Sequence, residues 1–174
     1  LARQNGLRLH THASENLGEI ALVEARCRER NVRYLDRIGY TGDDVILAHC
    51  IWLDDEEKRI LAETGTHVVH CPSSNTKLSS GIAPVTELKA MGANVALGLD
   101  GAHNHMDGLL ELRLASVLQK ARTHDPKALP AMEALEMATL GGAAAMGQAD
   151  ELGSLEPGRK ADRAVLDMNM PHYL

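Results

Sequence analysis

Apolar and polar positions alternate from Leu7 to His12 in "LRLHTH" and then meet a Ser, Glu, Asn cluster, the pattern of a strand running into a helix start. "ENLGEIALVEARCRERN" follows with Leu17, Ile20, Val23 and Cys27 at helical spacing. A second apolar run, "DDVILAHCIW", reads as a buried strand bounded by the turn "YTGDD". The helix "DDEEKRILAETG" opens on acids that suit its positive end and closes on Gly65. "THVVHCP" is a third strand, followed by the loop "SSNTKLSSGIA" and the helix "PVTELKAMG", with Pro84 in its first turn. "ANVALGLD" is a fourth strand; after the polar loop "GAHNHMDG" comes the long amphipathic helix "LLELRLASVLQKA". Strand, polar loop and helix thus alternate as in a parallel α/β sheet. "PAMEALEMATLGG" and "AAAMG" add helical turns, and "SLEPGRKADRAVLDM" reads as a turn leading to a strand in a different setting.

Composition narrows the function. The 174 residues include no Phe, one Trp and three Tyr, so small aliphatic side chains fill the core. A net charge of −6 with so few aromatic rings leaves neither a phosphate-binding stripe nor a stacking platform, which excludes nucleic acid as the expected partner. Three cysteines at irregular spacing fit a reducing, cytoplasmic setting better than a disulfide framework. No apolar run approaches the roughly 20 residues of a membrane span. The opening "LARQNGLRLH" reads as the middle of a domain entering a strand, so the sequence reads as a fragment.

The four strands end on His12, His49, His70 and Asp100. Parallel α/β folds gather ligands at that end, because the loops after each strand converge on one face. His12 with Glu15 three residues on suits a hydrolase in which a metal holds water and a carboxylate moves its proton; it equally fits a strand exit with a capped helix. His10 shares a strand face with His12 and reads as an interior histidine. His49 follows an apolar run and is either a functional group or a buried imidazole in need of a partner. His70 reads as structural, with His67 on the opposite strand face. Asp100 is either a metal ligand or the start of an Asx turn. His103 and Asn104 are loop groups placed where a substrate would touch. A phosphate loop and a G-x-S-x-G elbow are both missing from the sequence, and Cys50 and Cys71, each next to a strand-end His, make poor nucleophile candidates.

In that order, "HTHASE", "LAHCIWL", "HCPSSNTKLSSGIAPV", "LGLDGA", "ELRLASVLQKA", "ALEMATLGGA" and "LGSLEPGRKAD" resemble the second half of the amidohydrolase superfamily. The resemblance is to the branch of methylthioadenosine and S-adenosylhomocysteine deaminases, guanine-type deaminases and triazine chlorohydrolases. It implies that residues 1–148 are the C-terminal half, strands 5 to 8, of a metal-dependent (β/α)₈ TIM barrel, and that residues 149–174 enter a small β-sandwich. It also implies one divalent metal, usually zinc with iron or manganese as alternatives. His12 would be a metal ligand, Glu15 the proton shuttle to the substrate ring nitrogen, His49 the group that orients water or substrate, and Asp100 a contact to both metal and water. Glu15, His49, His103 and Asn104 would line the substrate pocket.

The activity so implied is hydrolytic deamination of a purine nucleoside or related heterocycle. Guanine-type deamination or triazine dechlorination is the alternative within the enzymes, and an inactive fragment that folds only by association is the alternative outside them. The family's first-strand His-x-His is absent here, so the ligand set is incomplete. Half a barrel would also expose apolar interior and two sheet edges, which favours self-association or a missing N-terminal half. The loop after Asp100 is about two residues shorter than in the family, and Arg163 stands at a position where the family is apolar.

Overall fold

The computed structural model describes residues 1–101, 106–167 and 169. Four strands, β1 (Leu9–Ala13), β2 (Val45–His49), β3 (His67–His70) and β4 (Val95–Leu97), form one parallel sheet in sequential order. The connections carry α1 (Leu17–Cys27) and α2 (Asn31–Arg37), then α3 (Asp55–Thr64), then α4 (Pro72–Lys77) and α5 (Val85–Ala90). After β4 come α6 (Gly108–Thr123), α7 (Ala131–Glu136), a π-helical turn over Met137–Gly141 and α8 (Gly142–Ala145).

Side-chain alternation divides each strand between two faces. Val45, Leu47, Val68 and Val95 lie in the main core, together with Val32, Leu61, Val85, Leu88 and Ala115 from the helices. A smaller cluster of Ile46, Ala96 and Ala145, with Val69 against it, occupies the other face. In register, Ile46 is the partner of His10 and Ala48 that of His12, so both histidines share the face of this second cluster. All five residues of β2 are buried, as in a strand covered on both sides, whereas His10 and His12 are exposed. The interior setting expected of His10 is therefore not met within this chain. Among the described residues β1 and β4 each have one strand neighbour.

Three local features depart from the pattern. The first helix was expected to run on through Asn31, but it stops at Arg28 (φ 62°) and restarts as α2. Arg30 is extended there, and its guanidinium donates to Glu57 (2.8 Å) and to the Trp52 carbonyl (2.6 Å). The stretch after Pro72 was expected as loop; its first residues instead form α4, with Pro72 in the first turn, where a missing N–H costs nothing. Residues 161–167 form no strand and are exposed, Val165 and Leu166 included, because a strand there has no partner to pair with.

Glu57 joins two of the helical layers. It completes a capping box with Asp54 at the start of α3, and its buried carboxylate also accepts from the Val32 N–H at 3.1 Å in α2. Replacing it by Ala takes one carboxylate partner from Arg30 and leaves the Val32 and Asp54 backbone N–H groups without their acceptor. Glu57→Ala is expected to lower unfolding stability by about 3 kcal/mol, read from the urea midpoint at constant m-value.

Candidate active site

The parallel sheet brings the carboxyl ends of all four strands to one rim, and the chain leaves three of them through left-handed backbone. Ser14 (φ 54°), His49 (φ 72°), Cys50 (φ 49°) and Asp100 (φ 66°) all have positive φ, a conformation that costs a non-glycine residue about 1–2 kcal/mol. Backbone bonds tie the first two turns together: Cys50 N–H donates to the Ala13 carbonyl, and Ile51 and Trp52 N–H both donate to the Ser14 carbonyl, each at 3.0 Å. Glu19 holds the same turn from the helix side. Its carboxylate accepts from Ser14 N–H (3.1 Å), from Glu15 N–H (2.7 Å) and from the Asn31 side-chain amide, while Asn16 caps α1 by accepting from Glu19 N–H (2.9 Å).

His49 lies at the centre of the rim and is buried. Its ring stacks on His12 with centroids 5.2 Å apart and planes 18° from parallel. Its Nε2 lies 3.9 Å from Glu15 Oε2 and 3.8 Å from Asp100 Oδ2, beyond a direct hydrogen bond to either. Its Nδ1 lies 2.8 Å from Asn75 Oδ1. The Ser80 hydroxyl donates to Glu15 (3.3 Å), and Ser80 is in turn held by the Trp52 indole, which donates to its carbonyl at 2.8 Å. Burial pushes the Asp100 carboxyl up, but the Ser74 hydroxyl at 2.6 Å, the Gly101 N–H and the imidazoles of His49 and His12 together hold it below the usual carboxylate range. The structure thus brings His12, Glu15, His49 and Asp100 to one place. His103 and Asn104 lie outside the described residues.

Residues 1–173 match the Amidohydrolase family over nearly their whole length. The chain belongs to the amidohydrolase family. It is 47% identical to the 5-methylthioadenosine/S-adenosylhomocysteine deaminase of Moorella thermoacetica, covering 97% of this chain and 40% of that relative. Among solved structures, an adenosine deaminase from Xanthomonas campestris with bound zinc matches with a TM-score of 0.90 at 41% identity, over 92% of this chain and 37% of that one. The atrazine chlorohydrolase of Arthrobacter aurescens TC1, complexed with zinc, matches with a TM-score of 0.84 at 35% identity, over 92% and 36% respectively. The chain therefore spans about 40% of the length of the curated relatives it matches.

For a divalent cation, this amidohydrolase segment offers the exposed His12 imidazole and the ionised Asp100 carboxylate on one rim. No group of three His, Cys, Asp or Glu among the described residues is arranged to hold a metal. A catalytic zinc usually takes three protein ligands, and these two donors alone fall short of that number. The other strand histidines behave differently. His67 sits at the opposite end of β3, donating through Nε2 to the Asp43 carbonyl (3.0 Å) and accepting from the Asn94 amide at Nδ1 (2.9 Å). Cys50 and Cys71 are buried, and burial raises both thiols, Cys71 to about 12, so neither is a ready nucleophile.

Four residues that hold this rim are not singled out by the sequence: Glu19 lies in the run that reads as the first helix, and Ser74, Asn75 and Ser80 lie in the stretch that reads as loop. Their signal in the sequence is weak, because Ser, Asn and Glu near a helix start ordinarily serve the backbone. His70 is fully buried with no hydrogen-bond partner at either ring nitrogen among the described residues, and burial plus the nearby His49 push its pKa down to about 4. Its folded pKa is depressed below the unfolded value near 6.5, so the unfolded chain takes up the proton first and stability falls as pH drops from about 6.5 toward 4. Each pH unit costs about 1.4 kcal/mol, or about 3 kcal/mol over the window. Replacing His70 by Phe should remove that part of the slope in urea titrations between pH 7 and pH 4; parallel curves for the two proteins would refute the assignment.

Proposed function

We propose that this segment is the C-terminal half, strands 5 to 8, of a (β/α)₈ barrel that hydrolytically deaminates an adenine-type nucleoside. On this reading residues 1–148 belong to the catalytic barrel, and residues 149–174 enter a β-sandwich completed by chain outside this segment. The observation that carries it is the meeting of Glu15 and Asp100 carboxylates on His49 Nε2, at 3.9 and 3.8 Å, with the His12 imidazole stacked alongside. The names of the relatives supply the substrate class: methylthioadenosine and S-adenosylhomocysteine in one, adenosine in another.

A divalent metal, zinc foremost and iron or manganese in its place, would sit on His12 and Asp100 and lower the pKa of water toward neutrality. Asp100, kept ionised by Ser74 and Gly101, accepts the proton of the attacking water. Glu15, steadied by Ser80, gives a proton to the ring nitrogen next to the carbon under attack and then carries one to the departing amine. His49 Nε2, between the two carboxylates, orients the attacking water or the substrate. The amine leaves as ammonia and the ring carbon becomes a carbonyl, so one water is consumed for each ammonia released.

The ligands that this segment lacks would come from the preceding half of the barrel, or from association with a chain that carries it. The segment alone is expected to bind zinc weakly and to release no ammonia. A triazine or guanine substrate is the second reading, favoured by the 35% identity to the chlorohydrolase and tested in the same assay. The small-molecule chemistry, with no nucleic acid or membrane involved, suits an enzyme of the cytoplasm.

Zinc-loaded full-length protein should release ammonia from 5-methylthioadenosine, S-adenosylhomocysteine or adenosine, and Glu15→Gln should slow this by about 10²- to 10⁴-fold. Ammonia from guanine, or chloride from atrazine, without turnover of adenosine derivatives would transfer the assignment to the second reading. Stoichiometric zinc with no turnover of any of these would end it.

A further inference from the structure

We infer that Asn75 is a positioning residue that selects which nitrogen of His49 faces the reacting atoms. The inference rests on the reading of His49 as a group of the deaminase site, and it concerns a residue to which that reading gives no role. Asn75 is fully buried in α4, where its backbone N–H donates to the Cys71 carbonyl and its carbonyl accepts from Ser80 N–H (2.8 Å). The backbone that carries the side chain is thus held from both directions along the chain. Its Oδ1 lies 2.8 Å from His49 Nδ1, and an amide oxygen can only accept, so Nδ1 must carry the hydrogen.

In the neutral ring this leaves Nε2 as the bare nitrogen, and Nε2 is the atom that lies between Glu15 and Asp100. The opposite tautomer would direct an N–H at the carboxylates and set a lone pair against the Asn75 oxygen. The second ring nitrogen of a functional histidine is commonly fixed in this way by the hydrogen bond that the first one makes. The Asn75 Nδ2 has no hydrogen-bond partner among the described residues, so what the amide contributes here is its oxygen. The neighbouring Ser74 does the corresponding work for Asp100, donating to it at 2.6 Å. One helical turn thereby orients two groups delivered by different strands, and its Ser74 and Asn75 are both buried.

The test uses full-length protein and two variants, Asn75→Leu, which removes the acceptor, and Asn75→Asp, which keeps an oxygen in its place. Nitrogen-15 correlation spectra of the His49 ring, taken at a pH where the ring is neutral, read the tautomer without reference to turnover. The wild type should show the proton on Nδ1, Asn75→Leu a mixture of tautomers, and Asn75→Asp the proton on Nδ1 again. In the ammonia assay Asn75→Leu should lower kcat about 10- to 100-fold with KM changed less than about threefold, and Asn75→Asp should regain most of the loss. A wild-type ring protonated on Nε2 overturns the inference. So does an Asn75→Leu protein that keeps the Nδ1 proton, or one whose kcat stays within about twofold of wild type. If Asn75→Leu does not fold, the wild-type and Asn75→Asp spectra still decide. If the wild type releases no ammonia, the deaminase reading fails and the tautomer comparison alone decides the role of Asn75.

Discussion

Parallel strands in sequential order can end only on one rim, and everything proposed for this chain depends on that constraint. Residues 12, 49 and 100 are far apart in sequence, yet each closes or follows a strand of the same sheet. The chain must then turn away at once toward a helix. At Ser14, His49, Cys50 and Asp100 it does so through left-handed backbone, which L-residues adopt only where surrounding contacts outweigh the strain. Those contacts are present: Glu19 grips the Ser14 turn, the Ser14 carbonyl receives two N–H groups from the next strand's loop, and Ser74 and Gly101 hold Asp100. The turns at this rim are therefore held by hydrogen bonds from neighbouring elements, as a preorganised site would require.

The same frame explains how far the sequence could be read. The strands were legible because their apolar runs are short and bounded, and His12, His49 and Asp100 stood out as polar groups where those runs end, with Glu15 just past the first. Ser74 and Asn75 were not legible. Small polar side chains after Pro72 have ready partners in their own backbone, and only the fold shows that they face His49 and Asp100 instead. The break between α1 and α2 was also hidden, since it depends on Arg30 reaching Glu57 in a helix 27 residues away along the chain. The π-helical turn at Met137–Gly141 belongs to the same class: Gly141 lies so close to β4 that a Cβ there would come within 2.8 Å of the Val95 carbonyl oxygen.

What the chain lacks is as physical as what it holds. The face that carries His10 and His12 is covered only in part, by the cluster of Ile46, Ala96 and Ala145, and the outer sides of β1 and β4 carry no strand among the described residues. A sheet in that condition gains by pairing, and the 40% share of its relatives' length leaves room for the strands that would do it. On the proposed reading, completion of the fold and completion of the metal site would be a single event. The elements that would close the sheet would also bring the remaining ligands to His12 and Asp100.

The central claim is that one cation is held jointly by groups from the first and last strands of this sheet. Anomalous diffraction at the zinc edge, on crystals of the full-length protein loaded with zinc, tests it most directly. A single strong peak bonded to the His12 imidazole and adjacent to the Asp100 carboxylate, with His49 beside it, is the predicted result. Zinc bound elsewhere, with His12 and Asp100 sharing no common centre, would contradict the account.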